Sequence, residues 1–346
     1  MTNDTEIKST QFPSGKSHGF QTLQLFNSND NHIDLFMKVG ILLPVTGQQA
    51  TRENITQVAK EAENEGFDSL WVLERLLSPL APQTPYPATP DGSLPPQYQN
   101  VLDPLVSLSY VASITNKIAL GTSVIDMLFH NPVILARAFA TLDILSKGRI
   151  ICGLGLGWSK DEYDVSNIPF KNKGKRADEM IDTLKRIWTS DEVQFNGDYY
   201  NIPPSKIGPK PIQKPHIPIH LGGFSQGTFS RIIKYDLNGW LGVLAGPLDY
   251  LQNSINTIKD LAKKANKDPN KFRVILLAYP NVTDSSQSDQ GQRFPLTGTI
   301  EQIGGDIQKI KKMEVDHIVF GYNFVPIYSD VSNIISITRQ LSKFAR

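Results

Sequence analysis

Residues 148–158, GRIICGLGLGW, form a short apolar run that opens into glycines at every second position and closes on a tryptophan. A dinucleotide-binding turn would need G-x-G-x-x-G where a strand meets a helix, and an acidic residue about twenty positions later. Here the glycines are Gly153, Gly155 and Gly157, the next helical pattern begins only near residue 174, and the basic run KNKGKR lies where the acidic residue would be. The stretch therefore lacks the Rossmann fingerprint.

The chain on both sides of this stretch alternates between strand-like and helix-like patterns. Apolar runs such as KVGILLP and FDSLWVL alternate with segments of helical spacing, and eight such pairs run from residue 38 to the end. Asn131, Pro132 and Gly148 mark the cap, the first turn and the stop of the third helix. Eight pairs with insertions after individual strands predict an α/β fold, a (β/α)8 TIM barrel, with an open doubly wound sheet as the alternative. In a barrel, residues 148–158 contain the fourth strand, and cofactor and catalytic contacts gather at its carboxyl end.

Composition indicates how the chain is divided and where it works. Residues 1–36 are polar and lack the apolar region of a signal peptide, so we expect an extension outside the fold, or alternatively an arm that packs on a surface. Residues 37–346 are predicted to form a single barrel domain. No apolar stretch approaches the roughly 18 residues that span a bilayer. Cys152 is the only cysteine, which excludes an internal disulfide, indicates a core thiol and favours a cytoplasmic location.

The charge balance excludes several kinds of partner. The 35 basic and 34 acidic residues leave a formal charge of +1, so there is no basic footprint for nucleic acid or for an anionic membrane surface. None of the six histidines has the H-x-x-x-H or H-E-x-x-H spacing of a helical metal site, and no metal is expected. A small-molecule substrate is the expected partner.

A second glycine pair lies at the end of the fifth strand, in PIHLGGFSQGT. Gly222 and Gly223 precede Ser225 and Thr228, which stand at the start of the next helix. Free backbone N–H groups, the positive end of a helix dipole and two hydroxyls can bind a phosphate. The alternative is an ordinary helix N-cap.

Several of these stretches together resemble a known family. LPVTGQ, FDSLWVLERL, the block from LGTSVIDMLFHNP to GLGLGW with SKDEY, PIHLGGFS and NGWL are similar to the luciferase-like monooxygenase superfamily, above all its coenzyme F420-dependent oxidoreductase branch. The resemblance extends over nearly all of the chain from residue 38 onward. It implies a luciferase-like barrel with the cofactor across the carboxyl ends of the strands. Because family members are commonly dimers, a homodimer is one expected assembly.

The resemblance also implies a set of cofactor-binding residues. They are Gly121, Thr122, Ser123 and Val124 at a non-proline cis bulge after the third strand, Gly155, Gly157, Trp158 and Glu162 beside the ribityl chain, and Gly222, Gly223, Ser225 and Thr228 at the phosphate. Arg176 could reach an anionic cofactor tail or fix an insertion. The alternatives are glycines that only ease packing, a packing role for Trp158 and a solvated charge for Glu162.

The end of the second strand departs from the family pattern. Many F420-dependent relatives have an Asp-His pair there, whereas this chain has Glu74 and Arg75. Glu74 can move a proton and Arg75 can stabilise an anion, so both are candidate catalytic residues. Because successive strand residues face opposite sides, we expect Glu74 to face the cofactor and Arg75 to hold residues 76–100. His130 is the candidate for the missing histidine acid, and His220 is interpreted as a core histidine.

The choice of cofactor decides the predicted reaction. A deazaflavin passes hydride and reacts little with oxygen, whereas a reduced flavin captures oxygen. The sequence predicts F420-dependent hydride transfer, with an FMN-dependent monooxygenase and a non-catalytic cofactor-binding sensor as alternatives. Insertions 76–100 and 190–216 are rich in Pro, Tyr and Gln, which favours a neutral or partly apolar substrate. The polar segment 281–297 is expected to be a mobile lid.

Overall fold

Eight parallel strands form a closed ring in the computed structural model, which describes residues 36–287, 293–325 and 330–346. The strands are β1 (Lys38–Leu42), β2 (Ser69–Val72), β3 (Ala119–Thr122), β4 (Ile150–Gly155), β5 (Ile219–Gly222), β6 (Gly239–Val243), β7 (Arg273–Ala278) and β8 (His317–Phe320). Each strand pairs with the next along the chain, and β8 pairs with β1. The predicted (β/α)8 barrel is confirmed. The alternative prediction, an open doubly wound sheet, is wrong, because β3 pairs with β4 through Leu120 and Gly121 and closes the ring.

Each strand is followed by a helix of the outer layer. The helices are α1 (Arg52–Asn64), α2 (Pro104–Ile114), α3 (Pro132–Leu145), α4 (Lys173–Thr189), α5 (Gln226–Lys234), α6 (Leu248–Lys264), α7 (Ile300–Lys312) and α8 (Ser332–Ala345). The Asn131 side chain accepts hydrogen bonds from the N–H groups of Val133 and Ile134, and Pro132 occupies the first turn of α3. Gly148 follows the helix with a φ of +79°. These signals place α3 where the sequence predicts it.

Shorter elements occupy the insertions between strands and helices. Residues Ile125–Asp126 form a two-residue strand that pairs with the end of β4, and Lys160–Val165 form a short helix after that strand. Between α4 and β5, strands Glu192–Asn196 and Asn201–Lys206 pair in antiparallel fashion and form a hairpin. The insertions after β3 and β4 therefore bring extra polar residues to the carboxyl end of the barrel.

The segment after β7 is tied to the body of the barrel. Arg293 donates two hydrogen bonds to the carboxylate of Asp306 in α7, and Leu296 is fully buried. Asn281–Val282 also pairs with Thr297–Gly298. The described flanks of the segment are thus anchored, whereas the centre of the expected mobile lid, residues 288–292, lies outside the described residues.

The core of the fold contains buried histidines and the single cysteine. His220 has no exposed surface, and burial lowers its pKa to about 3, which confirms a core histidine. Ser69 Oγ lies 2.8 Å from His317 Nε2 and accepts a hydrogen bond from Trp71 Nε1. Cys152 is fully buried, and burial raises the pKa of its thiol. The core thiol is therefore confirmed.

Two sequence expectations fall partly outside what the structure describes. The predicted extension, residues 1–36, lies outside the described residues except for Phe36. Among the described helices, none has the length and apolar character that a membrane crossing requires. The extension and the cytoplasmic location stay predictions.

Arg149, just before β4, ties α2 to the barrel. Its side chain is 5% exposed and donates to the carbonyl oxygens of Ser146, Ile118, Ala112 and Thr115 at 2.7 to 3.1 Å. A cation at the carboxyl end of a helix satisfies carbonyls that have no partner within the helix. Arg149 therefore holds the end of α2 against the strand that carries the glycine cluster.

Replacing Arg149 with Met should destabilise the fold. The variant keeps the length of the side chain but leaves several buried carbonyls without a donor, so the free energy of unfolding should fall by roughly 3 kcal/mol or more. Urea denaturation measures this loss. Arg137→Met, at an exposed position of α3, is the matched control and should change little. Equal stability of the two variants would contradict the role given to Arg149.

Candidate active site

The carboxyl ends of β3 and β4 are joined by one threonine. Thr122 Oγ1 donates a hydrogen bond to the carbonyl of Gly153 at 2.8 Å and accepts one from the Gly153 N–H at 2.9 Å. A Cβ atom at position 153 would lie 1.8 Å from the carbonyl oxygen of Thr122. Gly153 is therefore required for the contact between the two strands, which explains the first glycine of the cluster.

The chain turns out of β3 directly after this contact. The peptide bond between Ser123 and Val124 is cis, at the place where the family resemblance puts such a bond. The Val124 side chain then lies between Gly155 and Gly222, because a Cβ atom at either glycine would come 2.5 or 2.9 Å from its methyl groups. Both glycines thus make room for the Val124 side chain. They are therefore needed for packing, whether or not their backbone also contacts a cofactor.

The other predicted glycines also have protein neighbours. A Cβ atom on Gly121 would lie 2.3 Å from the ring of Trp71, inside the barrel. Gly157 has a φ of +75°, and a Cβ atom there would lie 2.7 Å from the ring of Phe129. The glycines therefore shape the mouth by admitting side chains from the neighbouring strand and loop.

Glu74 and His130 form a hydrogen-bonded pair at the mouth. His130 Nε2 lies 3.0 Å from Glu74 Oε1, and Glu74 Oε2 accepts the N–H of Asp126 at 2.6 Å. The Glu74 side chain is 6% exposed, whereas that of His130 is 28% exposed. Burial alone would lower the pKa of His130, but the hydrogen bond and the charge of Glu74 raise it above its ordinary value. The pair can therefore hold a proton on a group that solvent and a ligand can reach.

Arg75 and Glu162 form a second, more deeply buried pair. Arg75 Nη2 lies 2.9 Å from Glu162 Oε2, and the two side chains are 5% and 1% exposed. Glu162 also accepts the N–H of Leu76 at 2.8 Å. Glu162 is thus not a solvated helix charge, and its carboxylate faces Arg75 and the chain that leaves β2.

The expectation that Glu74 and Arg75 face opposite sides of a strand is wrong. β2 ends at Val72, so both residues lie in the loop beyond it, where strand alternation no longer holds. The Arg75 guanidinium stacks 4.5 Å from the ring centre of Trp158 and 5.5 Å from that of Tyr98. Arg75 does contact the insertion 76–100 through Tyr98, and its ionic partner is Glu162.

Asp126 is a site residue that the sequence did not reveal. Burial, reinforced by the charges of Glu74 and Glu162, raises the pKa of Asp126 to about 8, although Arg75 and the N–H of Gly157 oppose this shift. The Asp126 carboxyl is therefore neutral at pH 7. The sequence feature that could have pointed to Asp126 is its position three residues after Ser123, directly after the predicted bulge.

Two helix N-termini meet beside the mouth. Arg231 of α5 lies so close to Gly174 and Gly227 that Cβ atoms there would be 2.3 and 3.1 Å from its guanidinium nitrogens. Gly174 belongs to the first turn of α4 and Gly227 to that of α5, so the positive ends of both helices converge. Arg231 also pairs with Asp178 at 2.7 Å. This region is electrostatically suited to an anion.

The predicted phosphate residues build the start of α5. Ser225 Oγ accepts the Thr228 N–H at 3.1 Å and lies 3.1 Å from Thr228 Oγ1, so Ser225 is the N-cap. Gly223 has a φ of +116°, and a Cβ atom there would lie 3.0 Å from Thr228 Oγ1. The N-cap alternative is correct for Ser225, and the exposed turn from Gly223 to Gly227 remains open to a ligand.

Unpaired donors at and near the first turn of α4 fit an anionic group. Arg176 Nε and Tyr200 Oη are buried and have no hydrogen-bond partner among the described residues. The Arg176 guanidinium lies 4.7 Å from the ring centre of Tyr199, so Arg176 does contact the 190–216 insertion. Buried donors without partners are costly unless a ligand satisfies them. No group of three His, Cys, Asp or Glu side chains in the described ranges could hold a metal ion.

Comparison with known proteins places the chain in a family. The family model for luciferase-like monooxygenases matches residues 37–298, and the chain belongs to this family of enzymes. An F420-dependent glucose-6-phosphate dehydrogenase of Amycolatopsis mediterranei is 34% identical over 279 residues, which are 77% of this chain and 76% of that relative. The family resemblance deduced from the sequence is thereby confirmed.

Solved structures show the same fold at low sequence identity. An F420-dependent secondary alcohol dehydrogenase in complex with an F420-acetone adduct superposes with a TM-score of 0.72 at 19% identity, over 90% of this chain and 99% of that chain. The oxygenating constituent of 3,6-diketocamphane monooxygenase from Pseudomonas putida, in complex with FMN, gives a TM-score of 0.69 at 14% identity, over 89% and 97%. The fold is thus common to enzymes of both cofactors.

Asp126→Asn should stabilise the protein increasingly as the pH rises. The folded protein keeps the Asp126 proton up to a pKa of about 8. An unfolded chain releases this proton near pH 4, so the wild type loses stability as the pH rises through this window. Asn is neutral at every pH, so the variant does not lose stability in this way. Urea denaturation at pH 5 and at pH 8.5 should therefore show a larger advantage for the variant at the higher pH.

Asp249→Asn, at an exposed position of α6, is the control for this experiment. It should show no pH-dependent advantage. If the gain of Asp126→Asn were the same at both pH values, the neutral carboxyl at the mouth would be ruled out.

Proposed function

We propose that this enzyme transfers a hydride between coenzyme F420 and a small organic substrate. The observation that carries the proposal is the Glu74–His130 pair, which holds a proton at the open end of the barrel. The relative from Amycolatopsis mediterranei, named as F420-dependent, supports the choice of cofactor. The homodimer and the cytoplasmic location expected from the sequence also stay proposals.

The residues around the mouth fit such a coenzyme. Its anionic tail would lie at the converging N-termini of α4 and α5, where Arg176 Nε has no hydrogen-bond partner among the described residues. Its ring would lie over the bulge at Ser123 and Val124, where Ser123 Oγ is a buried hydroxyl that also lacks a partner there. When bound, a deazaflavin supplies a carbon centre that accepts or gives a hydride.

The protein's own task is then to manage a proton. Oxidation of an alcohol to a carbonyl releases one hydride from carbon and one proton from oxygen, and the reverse reaction consumes both. His130 presents an imidazole that is partly exposed, and Glu74 stabilises its protonated form. His130 would therefore give the proton to, or accept it from, the substrate oxygen, while the Asp126 N–H holds Glu74 in place.

Arg75 has a supporting part in this arrangement. Its charge lies between Glu162 and the rings of Trp158 and Tyr98, so Arg75 is held in a fixed position. Its positive charge offsets part of the negative charge around Glu74 and Asp126. We therefore assign Arg75 to charge balance and to the wall of the substrate site, and the proton step to Glu74 and His130.

Titration of the purified protein with F420 and with FMN tests the proposal. The fluorescence of Trp158, which lies at the mouth and is only partly buried, should be quenched by F420 with a Kd in the micromolar range or below, and FMN should bind at least tenfold more weakly. Arg176→Met should weaken F420 binding by roughly ten- to hundredfold, because each hydrogen bond to a charged group contributes about 1.5 to 3 kcal/mol.

Arg137→Met is again the matched control and should bind F420 like the wild type. FMN that binds more tightly than F420, or that copurifies in stoichiometric amount, would turn the assignment to a flavin monooxygenase. Tight F420 binding without any turnover on a panel of alcohols and ketones would favour the non-catalytic sensor.

A further inference from the structure

We propose that the substrate of this enzyme is uncharged, with an apolar or aromatic body, and that phosphorylated substrates are selected against. This inference rests on the proposed function, because it names the substrate class of the same site. It sets the chain apart from the glucose-6-phosphate dehydrogenase to which it is similar.

Five aromatic residues, here called the aromatic arc, line the substrate side of the mouth. They are Trp158, Tyr86, Tyr98, Phe324 and Tyr279. Each ring contacts the next, with centre-to-centre distances of 5.4, 5.7, 4.9 and 5.4 Å along this order. The loops after β2, β4, β7 and β8 all contribute to the arc. Its rings therefore join separate insertions into one continuous apolar wall.

A cleft opens between the aromatic arc and the insertion after β2. Its walls include Pro79, Pro82, Leu94, Tyr86 and Trp158 beside Arg75. Apart from Arg75, the residues that line the cleft carry no charge.

The one charge in the cleft is already neutralised. Arg75 Nη2 lies 2.9 Å from Glu162 Oε2, and both side chains are almost fully buried. An anionic substrate that took Arg75 for itself would leave the Glu162 carboxylate buried without its partner, which is strongly unfavourable. A neutral hydroxyl or carbonyl group could approach the guanidinium without disturbing this pair.

The loop after β4 carries Lys160, which is paired with Asp164, and Lys171, whereas the other loops around the arc add almost no cation. Residues 43–51, 76–103, 244–247 and 321–331, which follow β1, β2, β6 and β8, contain no Lys, Arg or His. Residues 279–299, after β7, contain only Arg293, which is bound to Asp306 through two hydrogen bonds. A phosphate monoester needs Arg or Lys donors to compensate its loss of water. The substrate side of the mouth therefore favours neutral molecules, and the free cationic donors lie on the side assigned to the coenzyme tail.

Benzyl alcohol and benzyl phosphate are matched probes, because they share one ring and differ in the phosphate. Ligand-observed NMR of the protein without coenzyme should show benzyl alcohol binding, and benzyl phosphate should displace it only at a concentration at least tenfold higher. Displacement reports the shared site alone, so that benzyl phosphate bound at the N-termini of α4 and α5 is not counted. Trp158→Ala should weaken benzyl alcohol binding at least fivefold, whereas Tyr250→Ala, an exposed aromatic residue of α6, should leave it unchanged.

The second part of the experiment adds a positive charge to the cleft. Leu94→Lys places an ammonium group in the cleft and should improve benzyl phosphate binding at least tenfold, whereas Leu80→Lys, at a fully exposed position of the same insertion, should not. Wild-type preference for benzyl phosphate, or equal binding of the two probes, would overturn the inference. These titrations need no coenzyme, so their outcome is independent of the F420 titration that decides the proposed function.

Discussion

The reciprocal hydrogen bonds between Thr122 and Gly153 are the constraint on which the mouth of this barrel depends. One hydroxyl holds both the N–H and the carbonyl of a neighbouring strand, and the absence of a side chain at position 153 lets the two backbones approach. The chain therefore leaves β3 at a fixed point. Val124 then fits between Gly155 and Gly222, and the loop that follows brings His130 back over Glu74.

Electrostatics divide the mouth into two unlike halves. On one side, the N-termini of α4 and α5 converge with Arg176 and Arg231, which favours an anion. On the other side, the Arg75–Glu162 pair cancels its own charge beneath the aromatic arc. The Glu74–His130 pair lies between these halves, where a proton is needed if a hydride moves from one to the other. Burial, reinforced by the charges of Glu74 and Glu162, raises the pKa of Asp126, which limits the charge that the barrel must bury.

Sequence patterns could predict the barrel because its signals are local. Helical spacing, the Asn131 cap and the glycine stops each lie within a few residues, and the block that ends in GLGLGW carries the family resemblance. The roles of the glycines were harder to predict, since Gly155 and Gly222 admit Val124 from a distant part of the chain.

Long-range pairs explain the remaining differences between sequence and structure. Arg75 and Glu162 are far apart in the chain and meet only in the folded barrel, so the sequence did not reveal that they form a pair. β2 also ends two residues before Glu74, which no local pattern indicated. Asp126 escaped notice because its raised pKa arises from burial and from carboxylates in other loops.

A histidine NMR titration tests the central claim, that Glu74 and His130 share a proton at the barrel mouth, most directly. The imidazole of His130 should titrate above the ordinary value of about 6.5, because Glu74 stabilises its charged form, whereas His220 and His317 should stay neutral down to acid pH. In Glu74→Gln, the pKa of His130 should fall, since burial then acts without the opposing carboxylate. A wild-type His130 that titrates at or below its ordinary value, with no response to Glu74→Gln, would contradict the account.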